Sequence, residues 1–206
     1  MSLDDAFLFA EDKALKEHLK GIVVSDLKNP ERTVKVWFGY PDVELRTQEY
    51  PYLVIDLYDI QPANDRQAGG IWMDNTNRGT ELPSENTYSY YAPQTYDLYY
   101  QVSSYARHPR HDRGIMLNML NSKIPGKFGH LLVPQENGVG TVARHMFLEG
   151  FVKRDSIEDG RRLFRNVFSI RVVSEMTPLE ALQATPQVNS VNIITPAVTP
   201  TGFQSV

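Results

Sequence analysis

The stretch from Thr141 to Val173 constrains the fold more than any other part of the chain. From Leu163 to Val173 the residues alternate with a period of two. Phe164, Phe168, Ile170 and Val172 fall on one face, and Arg165, Ser169 and Arg171 fall largely on the other. Thr141 to Val152 carries Val142, Met146, Leu148 and Phe151. Asp159-Gly160 between them suits a tight turn with positive φ. The pattern predicts a long antiparallel hairpin. Its apolar face needs a second layer of structure to cover it.

Further strands are legible upstream. Tyr52 to Ile60 reads as a strand that is apolar on both faces, with Leu53, Ile55 and Leu57 on one side and Val54, Tyr58 and Ile60 on the other. Such a strand belongs in the middle of a sheet. Asp56 and Asp59 interrupt it. They are three apart and are expected on opposite faces, so they form no carboxylate pair, and Asp56 reads as a hydrogen-bond acceptor or an interface residue. Tyr96 to Tyr105 alternates again, with Tyr96, Leu98, Tyr100 and Val102 against Asp97, Tyr99, Gln101 and Ser103. Thr33 to Phe38 reads as a strand after the turn signal Lys28-Asn29-Pro30 and stops at Gly39 and Pro41.

Two helices are expected. Leu3, Phe7, Leu8, Leu15 and Leu19 recur near helical spacing, with Ser2 or Asp4 as caps and Gly21 as the stop. Pro109 opens a second helix, where its missing N–H costs nothing. Ile115, Met116, Leu117, Met119 and Leu120 form its apolar stripe, and Pro125-Gly126 ends it. The fold class is α+β: a mixed, mainly antiparallel sheet with an N-terminal helix and one further helix packed on it. Residues 1–174 form the domain, within which 61–94 reads as a long irregular loop with Gly69-Gly70, three prolines and the aromatics Trp72, Tyr88, Tyr90 and Tyr91. Residues 175–206 read as an extended arm, with a helical turn at Leu179, Ala181 and Leu182. The chain beyond Val173 has no Lys or Arg, and its charges are Glu175 and Glu180.

Composition excludes several classes. Lys+Arg is 21 and Asp+Glu is 25 over 206 residues, a net charge of −4, which argues against coating nucleic acid by charge alone. Cysteine is absent, so disulfide scaffolds, thiolate zinc sites and cysteine nucleophiles are excluded. No apolar run approaches the roughly 18 residues of a membrane span. The first residues lack the basic start and apolar stretch of a signal peptide, and no membrane partner is expected.

Little catalytic chemistry is legible, and the chain reads as a non-enzyme with no cofactor and no metal. Gly138-Val139-Gly140 lacks a third glycine and reads as a turn. No nucleophile-elbow sequence is present. The one metal-like grouping is His108, His111 and Asp112, which would suit a small metal-dependent hydrolase. Pro109 breaks its helical geometry, and Arg107, Arg110 and Arg113 repel a cation. Arg161, Arg162, Arg165 and Arg171 form a basic stripe, read as solvation or inter-subunit ion pairs before phosphate contacts. Candidate partner-contact residues are therefore Trp72, Tyr88, Tyr90, Tyr91, Arg161, Arg162, Arg165 and, in the arm, Val191, Ile193, Ile194 and Phe203. A sheet edge and an apolar arm together permit strand addition between subunits.

The order of elements resembles that of the tail-terminator, or tail-completion, proteins of tailed bacteriophages and the related cap proteins of contractile tails. The likeness is carried by Pro51-Tyr52-Leu53-Val54-Ile55-Asp56-Leu57-Tyr58, by Tyr96-Asp97-Leu98-Tyr99-Tyr100-Gln101-Val102, by Ser103-Ser104-Tyr105-Ala106-Arg107, and by the following helix with Met116, Leu117, Leu120 and Ile124-Pro125. The resemblance spans roughly residues 3–174. It implies a virion structural protein of the tail-neck region, assembled in the host cytoplasm. Such a protein forms a homo-oligomeric ring, commonly a hexamer, that caps the tail tube protein and stops its polymerisation. It joins the tube to head-completion or neck proteins, and genomic DNA passes through its lumen without specific binding. A different neck or head-completion connector is the alternative of the same class.

Overall fold

The computed structural model describes residues 8–26, 29–39, 50–74, 86–134, 140–158, 160–176 and 183–186. The chain divides into two compact units, Met1–Gly69 with Ala92–Thr177, and Gly70–Tyr91 with Pro178–Val206.

The first helix, α1, runs Phe9–Leu19 and buries Ala14, Leu15 and Leu19. Its start lies one turn later than Ser2 or Asp4 would place it, at Leu8. Residues 1–7, including the expected caps and the Leu3 and Phe7 positions, lie outside the described residues. Strands β1 (Val23–Asp26) and β2 (Asn29–Thr33) form a small antiparallel ribbon. Asn29 and Pro30 therefore belong to a strand, not to the expected turn. β3 is Lys35–Phe38, and the buried Val34 separates it from β2, with its N–H donating to the Ile22 carbonyl at 2.8 Å.

The main sheet of the first unit also contains β4 (Tyr52–Pro62), β7 (Gln94–Ala106), β8 (Phe128–Pro134), β9 (Thr141–Lys153), β10 (Ser156–Glu158) and β11 (Arg161–Met176). The strand order is β3-β4-β7-β11-β9-β8, with β10 also paired to β11. Among the described strands of this sheet, only β3 and β4 pair in parallel. This is the expected mixed, mainly antiparallel α+β fold.

The predicted hairpin is present, and from Gly150 to its tip it keeps one register. Lys153 faces Asn166, Ser156 faces Leu163, and Glu158 faces Arg161. Two residues remain for the turn, and Gly160 takes φ +69°, where a side chain would be strained. β8, which the sequence reading did not anticipate, extends the hairpin into a three-stranded meander.

Helix α2 (Pro109–Asn118) continues into a π-turn over Met119–Lys123 and a short 3₁₀ turn over Pro125–Lys127. Both α-helices pack on one sheet face. Their Leu15, Leu19, Ile115 and Met119 share a core with Leu53, Ile55, Leu98, Tyr100, Val102, Phe168, Ile170 and Val172, and Phe164 packs against it.

Two bulges alter the expected face assignments. Leu57 faces Tyr100 and Asp59 faces Tyr99, so Tyr58 is the extra residue. Beyond it the alternation inverts. Ile60 therefore joins Leu98's face instead of Val54's. Asp59 joins Asp56 on the opposite face, a correction to the expectation that the two carboxylates diverge. A second bulge makes Glu149 the extra residue between Gly150, opposite Ser169, and Leu148, opposite Ile170.

The region read as an irregular loop is more regular than expected. β4 runs through Pro62, and β5 (Ile71–Asp74) and β6 (Asn86–Tyr91) pair antiparallel in the second unit. Within the segment read as an arm, β12 (Gln183–Pro186) adds to β6. Alternating polar and aromatic residues in Asn86–Tyr91 suit a strand, and Gly69-Gly70 and Pro93, which suggested a loop, fall between strands. The expected turn around Leu179 lies outside the described residues.

Candidate functional site

At the strand-to-helix corner, the three residues that resembled a metal site are occupied separately. His108 is the N-cap of α2, and its Nδ1 accepts from the Arg110 N–H at 3.3 Å. His111 is buried, and its ring centroid lies 5.3 Å from that of His108. Asp112, only 3 % exposed, turns to the sheet. Its carboxylate accepts from Asn166 Nδ2 at 2.6 Å and from Lys153 Nζ at 2.5 Å. Asn166, fully buried, also donates to Ser104 Oγ at 3.2 Å, and its own Oδ1 has no partner. A buried carboxylate matched by a cation and an amide is held in place by them. Among the described residues no group of three or more His, Asp or Glu side chains is placed to hold a metal.

Arg162 and Arg165 of the basic stripe are engaged within the protein. Arg162 pairs with Asp155 at 2.9 Å and lies over the Phe164 ring at 4.9 Å. Burial pushes the Asp155 carboxyl up, but Arg162, Lys153 and the Arg165 backbone N–H together hold it below its usual range. Arg165 lies over the Tyr105 ring at 5.4 Å. Arg161 is exposed beside the hairpin turn.

The sheet face that carries no helix among the described residues has a different character. One transverse row crosses five strands: Asp59, Tyr99, Arg171, Phe147 and Phe128, each the register partner of the next. Arg171 is central. Its guanidinium lies 4.4 Å from the Phe147 ring centroid and donates to Glu149 at 2.6 Å and to Asp97 at 3.3 Å. The bond to Glu149, ahead of the charge of Asp97, stabilises the Arg171 cation further. Arg66 also pairs with Asp97. Charge on this face is thus locally compensated. Phe128 is 44 % exposed, Tyr58 55 % and Leu132 63 %. Beside the row, His130 and His145 are direct cross-strand partners.

The aromatic candidates Trp72, Tyr88, Tyr90 and Tyr91 lie on β5 and β6 of the second unit. Register pairs Trp72 with Tyr90, Asp74 with Tyr88 and Ile71 with Tyr91, and the last two residues are both exposed. Val191, Ile193, Ile194 and Phe203 lie outside the described residues. The sequence reading missed the row through Arg171, which depends on β8 and on the Glu149 bulge, and the histidine pair, which depends on β8. The signal available for β8 was Asn137-Gly138, a hairpin-turn dipeptide midway between His130 and His145.

Comparison with known proteins is sparse. No family model matches the sequence, and no curated protein matches it. Among solved structures, the chain is similar to the sheath/tube terminator of an extracellular contractile injection system, PVC, in its extended state, determined by cryo-EM. The identity is 11%, the TM-score 0.40, and the match covers 96% of this chain. The chain spans 66% of the length of that protein.

Proposed function

We propose that this chain is a structural subunit of a tail-like particle, a terminator that closes the tail tube. On this reading it assembles as a ring, a hexamer on the pattern of the proteins it resembles. The ring stops tube polymerisation and presents a surface to head-completion or neck proteins, and the genome passes through its lumen. The observation that carries the reading is the one-sided covering of the main sheet. Its helices share one face, while the other face carries no helix and the edge strands β3 and β8 each pair with a single strand of the sheet, among the described residues. Open edges and exposed apolar side chains such as Phe128 and Leu132 belong where neighbours dock. A ring of identical subunits needs two different patches on each copy, which two unlike edges supply. The segments that carry the sequence resemblance also support it, since they are β4, β7 and α2, the centre of the sheet and its covering helix. The aromatic strands β5 and β6, the arginines 161, 162 and 165, and the chain beyond Pro186 with Val191, Ile193, Ile194 and Phe203 are the assigned contacts to neighbouring subunits and partner rings.

Mass photometry and negative-stain imaging of the pure protein, alone and mixed with tail tubes, test the proposal. Rings, or tubes capped at one end with a narrowed length distribution, are the expected result. A protein that stays monomeric at high concentration and leaves tube lengths unchanged overturns it. Truncation after Pro186 should weaken ring formation while the monomer stays folded, and unchanged rings would remove the arm from the interface.

A further inference from the structure

The protein has five histidines, and all lie among the described residues. Three are engaged. His18 Nε2 lies 2.8 Å from the Lys123 carbonyl oxygen, His108 caps α2, and His111 is buried. His130 and His145 differ from these. Both are exposed, and neither has a hydrogen-bond partner among the described residues. They face each other across β8 and β9, with ring centroids 5.1 Å apart and planes inclined at 53°.

This separation has a chemical meaning. A metal–imidazole bond of about 2.0–2.1 Å puts the metal roughly 3.2 Å from each ring centroid, so two imidazoles sharing it at about 90–110° have centroids roughly 4.5–5.2 Å apart. The observed pair lies inside that interval. Its surroundings are apolar and hold the rings. The Phe128 ring is 5.6 Å from His130 and 5.5 Å from His145, and Phe147 is 6.4 Å from His145. Arg171, on the same sheet face, is matched by Glu149 and Asp97, and Arg144, next to His145 in the chain, by Glu175.

We propose that His130 and His145 form a two-imidazole site for a divalent transition metal of the copper, nickel and zinc class, with water in the remaining positions. Imidazole nitrogen suits these ions, and no carboxylate in the cluster favours magnesium or calcium. The metal would clamp the open edge strand β8 to β9. The site is independent of the ring proposal and differs from the His108, His111, Asp112 grouping, whose members are committed elsewhere.

The test is calorimetric titration of the tag-free full chain with CuCl₂, NiCl₂ and ZnCl₂. One equivalent is expected, bound most tightly for copper. His130→Ala and His145→Ala should each weaken binding at least about tenfold, because losing one ligand removes the effective concentration of the other. His18→Ala and His108→Ala should leave it within about twofold. Saturating metal should raise Tm in the wild type and not in His130→Ala. Both histidines are exposed, so the metal-free variants should melt like wild type. Absence of binding by the wild type at millimolar metal overturns the proposal, as does equal binding by the His130→Ala/His145→Ala double variant.

Discussion

Asp112→Ala separates a structural carboxylate from a metal-binding one. The side chain is almost completely buried and accepts two hydrogen bonds, one from a fully buried amide and one from a lysine whose side chain is 41% exposed. Removing it leaves Asn166 with Ser104 alone, beside an Oδ1 that already lacks a partner. A buried donor left unsatisfied costs about 1–3 kcal/mol. The Lys153 pair, half in water, adds about 1 kcal/mol or less. The expected destabilisation is therefore ~1–4 kcal/mol. For a chain of this length that lowers Tm by ~2–16 °C, at about 2–4 °C per kcal/mol. Asp112→Asn keeps an acceptor for Asn166 and should lose about 1 kcal/mol. Chemical denaturation followed by circular dichroism, in EDTA and again with added zinc or manganese, reads both quantities. The structural account requires the same loss in both buffers. A loss below about 0.5 kcal/mol, or stability that returns only with metal, refutes it.

Other outcomes follow from single features. Gly160→Ala places a side chain at φ +69° in the hairpin turn and should cost about 1–2 kcal/mol in the same denaturation assay. Burial, partly offset by the hydrogen bond from Tyr100 and reinforced by Glu11, raises the Asp12 pKa above its ordinary value of 3.8. An acid raised in the folded state binds more protons folded than unfolded, so its contribution to stability falls as pH rises from 3.8 through the raised value. Asp12→Asn keeps the acceptor and removes the charge, so its Tm should gain on wild type as pH rises to neutrality; parallel Tm–pH curves would contradict this. Leu132→Lys, on an exposed position of the edge strand, should leave monomer stability within about 0.5 kcal/mol and weaken ring formation seen by mass photometry.

The parts of the fold legible in the sequence are those where local pattern and burial agree. The alternation of Phe164, Phe168, Ile170 and Val172 marked the inner face of β11, and Asp159-Gly160 marked its turn. Leu98, Tyr100 and Val102 did the same for β7. Pro109 marked the start of α2 because a missing N–H is harmless only there. The strands β5, β6 and β12 were hidden by their shortness and by the glycines and prolines between them. β8 was hidden because His130 and Gly129 break up its apolar pattern. At the corner site, proximity in sequence suggested that His108, His111 and Asp112 act together. The partner of His108 is the N–H of Arg110, two residues on, and those of Asp112 are Asn166 and Lys153, from strands more than 40 residues later. Such commitments are set by register, and no local window contains it.

The two bulges show how register also shapes the candidate surface. In a regular strand, Phe151 and Phe147 would share a face, and so would Leu57 and Asp59. One extra residue in β9, Glu149, and one in β4, Tyr58, invert the alternation on both sides of the Tyr99–Arg171 pair. The inversion keeps Met146, Leu148 and Phe151 on the helix-covered side while turning Phe147 out beside Arg171. It also turns Asp59 out beside Tyr99 and leaves the inserted Glu149 as acceptor for Arg171 Nε. Bulges interrupt ladder hydrogen bonds, and two of them flank a single row of this sheet. Without them the outward row would lose Phe147, the ring beneath Arg171, and Glu149, its nearer anion. The bulges thus build the aromatic and arginine row on the face of the main sheet that carries no helix among the described residues.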